Sequence, residues 1–302
     1  MKRRHSSITK ERIFAVWLLI PCFLVVCIFA FYPIVYSFFL SLHRIILGLP
    51  SIGQPFIGLE NYRALLHDSI ALRSLVNTFA FVFISTFFEL LFGLIIALVI
   101  NKHFMGRGLV RAAILVPWAI PTVVSSQMWR FICNDNYGLV NYILFGSDVA
   151  QYKAWLADPF FAFAAIVVAD VWKTSSFAAL LILAGLQTIP DELYETAKID
   201  GANAWQRFRK IILPLIKPAL LIALLFRTMD AFRVFDLVFV MTQGGPANST
   251  NVLQFYGYKK IFAEGFMGYG STISVLVFMT VFVLSLLYLR IIRTRLFAET
   301  VT

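Results

Sequence analysis

Six stretches of this chain, at about 13–41, 76–100, 109–133, 160–187, 214–241 and 272–291, are each apolar over the length of a membrane span. A helix needs about 20 mostly apolar residues to cross a hydrocarbon core. Inside that core every backbone N–H and C=O must be satisfied within the segment, which leaves helices as the choice for runs this long. The expectation is therefore an all-α integral membrane protein with six transmembrane helices. The balance of residue types agrees, since 60% of the 302 residues are hydrophobic and only 14% are charged, against roughly 25% charged in a soluble domain. Lys2, Arg3 and Arg4 ahead of an apolar run imitate a secretory signal, but the run goes on to about Leu42 and no A-x-A site closes it. Leu19-Ile20-Pro21-Cys22 is a poor lipobox, with proline where a small residue is expected. The run is read as a retained first helix. Cys22, Cys27 and Cys133 form no C-x-x-C pair and read as packing residues, neither a disulfide framework nor a metal site.

The segments between spans alternate in character. Those at 43–75, 134–158 and 242–271 hold turn formers: Pro50, Pro55, Gly58, Asn134, Gly138, Gly244, Gly245 and Pro246. The others are short or strongly charged. Sixteen basic residues fall on one side of the membrane: Lys2, Arg3, Arg4, Lys10, Arg12, Lys102, Arg107, Arg111, Lys198, Arg207, Arg209, Lys210, Lys217, Arg290, Arg293 and Arg295. The opposite side has six: Arg44, Arg63, Arg73, Lys153, Lys259 and Lys260. Because Lys and Arg accumulate in cytoplasmic loops, both termini are expected in the cytoplasm. The net charge of +10 then follows from topology, and nothing is left over to argue for nucleic acid.

Four basic residues remain inside the spans. Arg130 sits near the outer end of the third, in reach of the interface. The fifth span reads RTMDAFRVFD, with Arg227, Asp230, Arg233 and Asp236 three residues apart. Helical neighbours at that spacing lie side by side, so a slanting stripe of alternating charge is expected. The fourth span adds Asp170 and Lys173 around Trp172, and the second carries Glu89. Ionisable groups at this depth face a cavity or a partner, because each costs several kcal/mol otherwise. Two readings stay open. The charges neutralise one another and fix helix packing, or they line a polar path for a hydroxyl-rich solute such as a sugar, with Trp172, Phe232 and Phe235 near enough to stack on it.

The segment 188–213 is a charged interruption between apolar spans. Thr188, Pro190 and Asp191 suggest a helix start, and Asp191, Glu192 and Glu195 suit its positive end. At helical spacing Ala197 and Gly201 would share one face, continued by Trp205 and Phe208. Such a face suits a protein partner's close approach better than a lipid surface.

Glu195-Thr196-Ala197, three residues, Gly201, nine residues and Ile211-x-Leu213-Pro214 resemble the EAA loop of ABC-importer permeases, with Thr196 in place of the middle alanine. Asp200 and Ala202 match the D-G-A form common in sugar permeases. YPIVYSFFLSL in the first span, FIGLENY at 56–62, VWKTSSF at 171–177 and FRTMDAFRVFDLVFVMTQGGP at 226–246 extend the likeness to binding-protein-dependent sugar permeases of the maltose and trehalose type. The glycerol-phosphate permeases share much of this pattern. The resemblance implies a type I ABC-importer (MetI-like) fold in a bacterial or archaeal cytoplasmic membrane. It also implies a tail at 1–12, a first helix and outer loop at 13–75, a core at 76–291 and a tail at 292–302.

Roles follow from the likeness for the loop and the outer turn, and from the buried charges themselves for the path. Glu195, Thr196, Ala197, Asp200, Gly201, Ala202, Leu213 and Pro214 would form the joint to a cytoplasmic ATPase. Arg227, Asp230, Arg233, Asp236, Asp170, Trp172, Lys173 and Glu89 would line the sugar path, and Gly244, Gly245 and Pro246 would meet a substrate-loaded extracytoplasmic binding protein. The implied assembly has a second permease as heterodimer partner and two ABC ATPase subunits that bind ATP and Mg, with lipid around it. This chain has no P-loop of the form G-x-x-x-x-G-K-[ST], so no cofactor and no catalytic role are expected in it. An ion-coupled carrier would explain the charged residues but not the cytoplasmic helix. An intramembrane hydrolase is disfavoured because His5, His43, His67 and His103 all lie outside the spans. A channel would need a selectivity filter, and no span carries a recognisable one.

Overall fold

The computed structural model describes the backbone of residues 2–49, 51 and 53–298, and side chains between 14 and 291 other than those of 50 and 52. Pro50 and the basic side chains Lys2, Arg3, Arg4, Lys10, Arg12, Arg293 and Arg295, which entered the topology count, lie outside the described residues, as do the side chains of both expected tails.

The helices in chain order are α1 (Phe14–Ser41), α2 (Glu60–His67), α3 (Ser69–Asn101), α4 (Arg107–Ala119), α5 (Thr122–Ile132), α6 (Leu139–Phe145), α7 (Pro159–Leu186), α8 (Asp191–Ile199), α9 (Ala204–Leu215), α10 (Lys217–Ala231), α11 (Asp236–Met241), α12 (Leu253–Tyr258) and α13 (Met267–Ala298). Among the described residues the only β-structure is two isolated bridges, His43 with Phe56 and Ile46 with Phe266.

Helices α1, α3, α7 and the stretch Met267–Ile291 of α13 are each long and apolar enough to cross a membrane unaided. The two remaining expected spans are broken. Between α4 and α5 the chain turns through 89°. Pro121 has no N–H and disfavours helix at the residue before it, and Ile120 is accordingly extended, at φ −69° and ψ 133°. Between α9 and α10 the turn is 65°, because Pro218 has no N–H for the carbonyl of Pro214 and its ring crowds that oxygen. The fifth span also ends early. Helix α10 stops at Ala231, Phe232–Phe235 is irregular, and α11 is a separate short helix. The expected continuous spans at 109–133 and 214–241 are corrected by these breaks, and residues 204–213 belong to a helix that leads into the bend at Ile216.

The chain divides into two compact units. In the larger, residues 66–256 and 277–302, α3 packs along α7. A Cβ at Gly93 would lie 2.8 Å from that of Ala178, and one at Gly185 would collide with Ala219 on α10. Small residues let helix backbones approach where lipid offers no hydrophobic drive to associate. Ala97, Ile100, Ala179, Ile182, Leu186 and Ile216 fill the core beside these contacts.

In the smaller unit, residues 1–65 and 257–276, Asn61 of the FIGLENY string donates to the carbonyls of Ser41 at 2.8 Å and His43 at 3.2 Å. It thereby satisfies backbone acceptors freed where α1 ends. The apolar window of α1 is itself unburied in the isolated chain.

Candidate functional site

The larger unit holds a cavity of about 190 Å³ lined by Trp118 and Thr122, by Asp170, Lys173 and Thr174 of α7, by Arg227, Asp230 and Ala231 of α10, and by Arg233–Leu237 beyond it. Arg227 anchors it. The residue is 2% exposed, and its guanidinium donates to both oxygens of Glu89 on α3, the Nη2 to Oε1 bond being 2.9 Å. It also donates to Asp230 Oδ2 at 2.7 Å and lies 3.7 Å from Asp170 Oδ2. Paired forks of this kind are the strong form of charged hydrogen bond. They let an ion pair persist where an isolated charge would be costly.

The charges do not form the expected stripe on one helix. Because α10 ends at Ala231, Arg233 and Asp236 are carried by the irregular segment and by α11, yet both still line the cavity beside Arg227 and Asp230. Arg233 reaches back to Asp230 Oδ1 at 3.4 Å, and both side chains are more than half exposed.

Glu89, at 0% exposed, sits behind Arg227 and does not line the cavity. It is the packing partner that the first of the two readings described, whereas Asp230, Arg233 and Asp236 have the placement of the second. Trp172 departs from expectation as well. It lies edge-on to Trp129 and borders an apolar hollow with Phe88, Phe92 and Phe160, away from the polar cavity. Phe232 is buried edge-to-face against Phe79. Phe235 does line the cavity, stacked on Phe239.

Lys173 is not tied to Asp170 by the spacing of three that suggested it. Its ammonium donates to the carbonyls of Trp118 at 3.1 Å and Ile120 at 2.6 Å, at the broken end of α4. Trp118 was missed by the sequence reading. The signal was present in Pro117-Trp118-Ala119-Ile120-Pro121, two prolines flanking an aromatic residue inside an apolar span.

The segment expected to couple to an ATPase is two helices joined by a tight turn. Helix α8 begins at Asp191 with Asp191 and Glu192 in its first turn, but Thr188 does not cap it. The Thr188 hydroxyl donates instead to the Gly185 carbonyl at 2.8 Å. At its end, Ala202 N–H donates to Ala197 at 2.9 Å and Gly201 N–H to Lys198 at 3.0 Å, the bond pair of a Schellman motif. Gly201 has φ +75°, a left-handed conformation that glycine adopts without penalty. Asn203 and Gln206 then form a reciprocal capping box that starts α9.

Ala197 and Gly201 therefore do not share a helix face, because the helix has ended at Ile199. Ala197 is buried, while a Cβ at Gly201 would meet nothing within 4 Å. Trp205 and Phe208 stack on one another at 5.5 Å, and Ile199 stands 86% exposed. The Tyr194 phenol is raised above its ordinary range, first by burial and then by Asp191.

At the opposite end of α11, Gly244 has φ +80° and is buried under Phe255. It does not present open backbone, as expected for a docking turn. Gln243 and Ala247 are the exposed members of this turn. Asn77 of α3 fixes the following loop by donating to the carbonyls of Asn248 at 3.1 Å and Asn251 at 2.9 Å.

Comparison with known proteins bears on the family that the resemblance named. The trehalose/maltose transport system permease protein MalF of Thermococcus litoralis is 43% identical over 278 residues, covering 92% of this chain and 93% of that one. The trehalose transport system permease protein SugA of Mycobacterium tuberculosis is 40% identical over 289 residues, covering 95% and 91%. The same fold occurs in the crystal structure of a bacterial ABC transporter involved in the import of the acidic polysaccharide alginate. There the TM-score is 0.81 at 22% identity, over 97% of this chain and 99% of that one. These likenesses give no support to an ion-coupled carrier, a channel or a hydrolase. Residues 89–297 match the binding-protein-dependent transport system inner membrane components, and with full-length relatives of this kind the chain belongs to that family of multi-pass membrane proteins.

Proposed function

We propose that this chain is one of two permease subunits of an ATP-driven importer for a sugar, a disaccharide such as trehalose or maltose. The observation that carries the reading is identity of 40% or more, along nearly the whole chain, to permeases named for those sugars. The cavity supports it chemically, with carboxylates, a guanidinium and aromatic walls around a space suited to replacing the water of a hydroxyl-rich solute. Helix α1, unburied in the isolated chain, is available to lipid and to the second permease.

In this reading both termini are cytoplasmic. Glu195, Thr196, Ala197, Asp200, Gly201, Ala202, Leu213 and Pro214 seat the α8–α9 turn against one of two separate ATPase subunits, which bind ATP and Mg. A substrate-loaded binding protein meets the loop after α11. ATP-driven closure of the ATPases then rocks the permeases between inward- and outward-facing states. The test is to purify the whole complex and measure ATP hydrolysis and vesicle uptake with its binding protein and a panel of sugars. Stimulation by trehalose or maltose, with uptake that requires ATP, is the expected result. Uptake driven by an ion gradient without ATP would overturn the reading, and stimulation by glycerol phosphate or a longer oligosaccharide alone would change the substrate.

A further inference from the structure

Helix α3 ends at Asn101 and α4 starts at Arg107, so a short turn joins two apolar spans. A connection that short keeps its tip at the bilayer edge, where the last carbonyls of α3 need donors from outside their own helix. Two arginines one turn apart on α4 supply them to a single carbonyl, that of Ile100. Arg107 donates through Nε at 3.0 Å and Arg111 through Nη2 at 3.3 Å, and the shared acceptor holds the two guanidinium groups together. Arg107 Nη1 also meets His103 Nδ1 at 3.3 Å, and Lys102 is exposed in the same turn.

A guanidinium carries five N–H donors, and these contacts leave most of them unused. Arg111 Nε is buried with no acceptor, the costly state for a donor withdrawn from water. Among the described residues no carboxylate pairs with Lys102, Arg107 or Arg111, and the sequence has no Asp or Glu from 90 to 134. The apolar side chains of the turn are not in a core either. Met105 is fully exposed, Leu109 is 78% exposed and Phe104 is exposed as well. Cations without an anion and apolar groups without a core thus occur together, at the depth where a phospholipid offers both.

We propose that this turn is a binding site for an anionic phospholipid of the surrounding bilayer. Arg107, Arg111 and Lys102 take the phosphate of its headgroup, while Phe104, Met105 and Leu109 lie against its acyl chains. Guanidinium and phosphate form charge-assisted, bidentate hydrogen bonds, and basic pockets between membrane helices suit anionic headgroups. An acidic protein face would meet the cations but not the three apolar side chains. The site takes from the sugar-import reading only its side of the membrane, which that reading makes cytoplasmic, and none of its residues lines the polar cavity.

The experiment titrates the assembled complex in detergent with phosphatidylglycerol or phosphatidylcholine and counts bound lipid by native mass spectrometry. The original complex should hold phosphatidylglycerol in preference. Lys102 is exposed, and Lys102→Gln should raise the phosphatidylglycerol Kd about fivefold. Arg107→Gln with Arg111→Gln should raise it about twentyfold in complexes that still elute at the assembled size. Met105→Ser with Leu109→Ser should weaken both lipids alike and leave the preference intact. Equal binding of the two lipids by the original, or an undiminished preference in Lys102→Gln and the double arginine variant, overturns the proposal. So does displacement of phosphatidylglycerol by inorganic phosphate, which would make the turn a site for the free ion. Release of the ATPase subunits from Lys102→Gln with lipid binding unchanged overturns it too, in favour of a protein interface. If phosphatidylglycerol is held in preference but no sugar is imported, the functional reading fails and this site stands.

Discussion

Around Arg227 two of the three acidic partners come from distant parts of the chain, Glu89 on α3 being 138 residues away and Asp170 lying on α7, while Asp230 is local. In the turn at Gly201 every partner lies within five residues. Both regions satisfy the same kind of demand, polar groups withdrawn from water or from helical pairing, but they do so over different ranges. Short-range satisfaction uses fixed spacings and particular residue types, and it forms wherever that string occurs. Long-range satisfaction exists only when three helices have packed, and any one partner can be lost without changing the local pattern.

The sharpest way to break this comparison is at its most buried member. Arg227→Met leaves Glu89 and Asp170 facing each other without a cation, and removing one member of a buried pair is expected to destabilise by about 3–5 kcal/mol. Loss of assembled complex in detergent, followed by size-exclusion during a heating series, is the measurement. Replacing Glu89 by Gln in the same chain should recover part of the loss, and an Arg227→Met complex as stable as the original would remove the long-range half of the argument. At the exposed rim of the same cavity, Asp230→Ala and Arg233→Ala should abolish uptake while insertion and assembly persist. Normal transport by both variants would leave the cavity a packing feature.

The turn should respond more gently and in a different readout. Gly201→Val forces a β-branched residue into the left-handed region, at about 1–2 kcal/mol, with no clash inside the chain because that space is open. Gly201→Asn tolerates the conformation and should couple nearly normally. If Asn also uncouples ATP hydrolysis from uptake, the glycine serves close approach by a partner and not turn geometry, and Gly201→Phe would then be the most damaging variant. The smallest effect is expected from Asn203→Ala, which removes the α9 cap at about 1 kcal/mol. It should weaken ATPase retention slightly and leave sugar binding unchanged, and a change in sugar affinity would blur the separation between the two regions.

The same division explains what was legible beforehand. The six apolar segments, the existence of a charged helix after Thr188 and the family strings were readable because each depends on residues close together in the chain. Trp172 was placed on the polar path and Trp118 was not singled out because which way an aromatic ring on an apolar helix points depends on the helices packed around it, and the sequence does not give that packing. Asp170 and Lys173 show the same limit. Three residues apart on one helix they suggest a pair, yet one faces Arg227 and the other the broken end of α4.

By itself the sequence determined that this chain is a set of membrane helices with a charged interruption between two of them. Hydropathy over about 20 residues and hydrogen bonds over five are local quantities, and no packing arrangement alters them. Only the tertiary structure decided which charges are paired, which face open space, and which aromatic ring borders the polar cavity. Those outcomes depend on angles between helices, set where a proline interrupts the backbone and a lysine from another helix takes up the carbonyls it leaves.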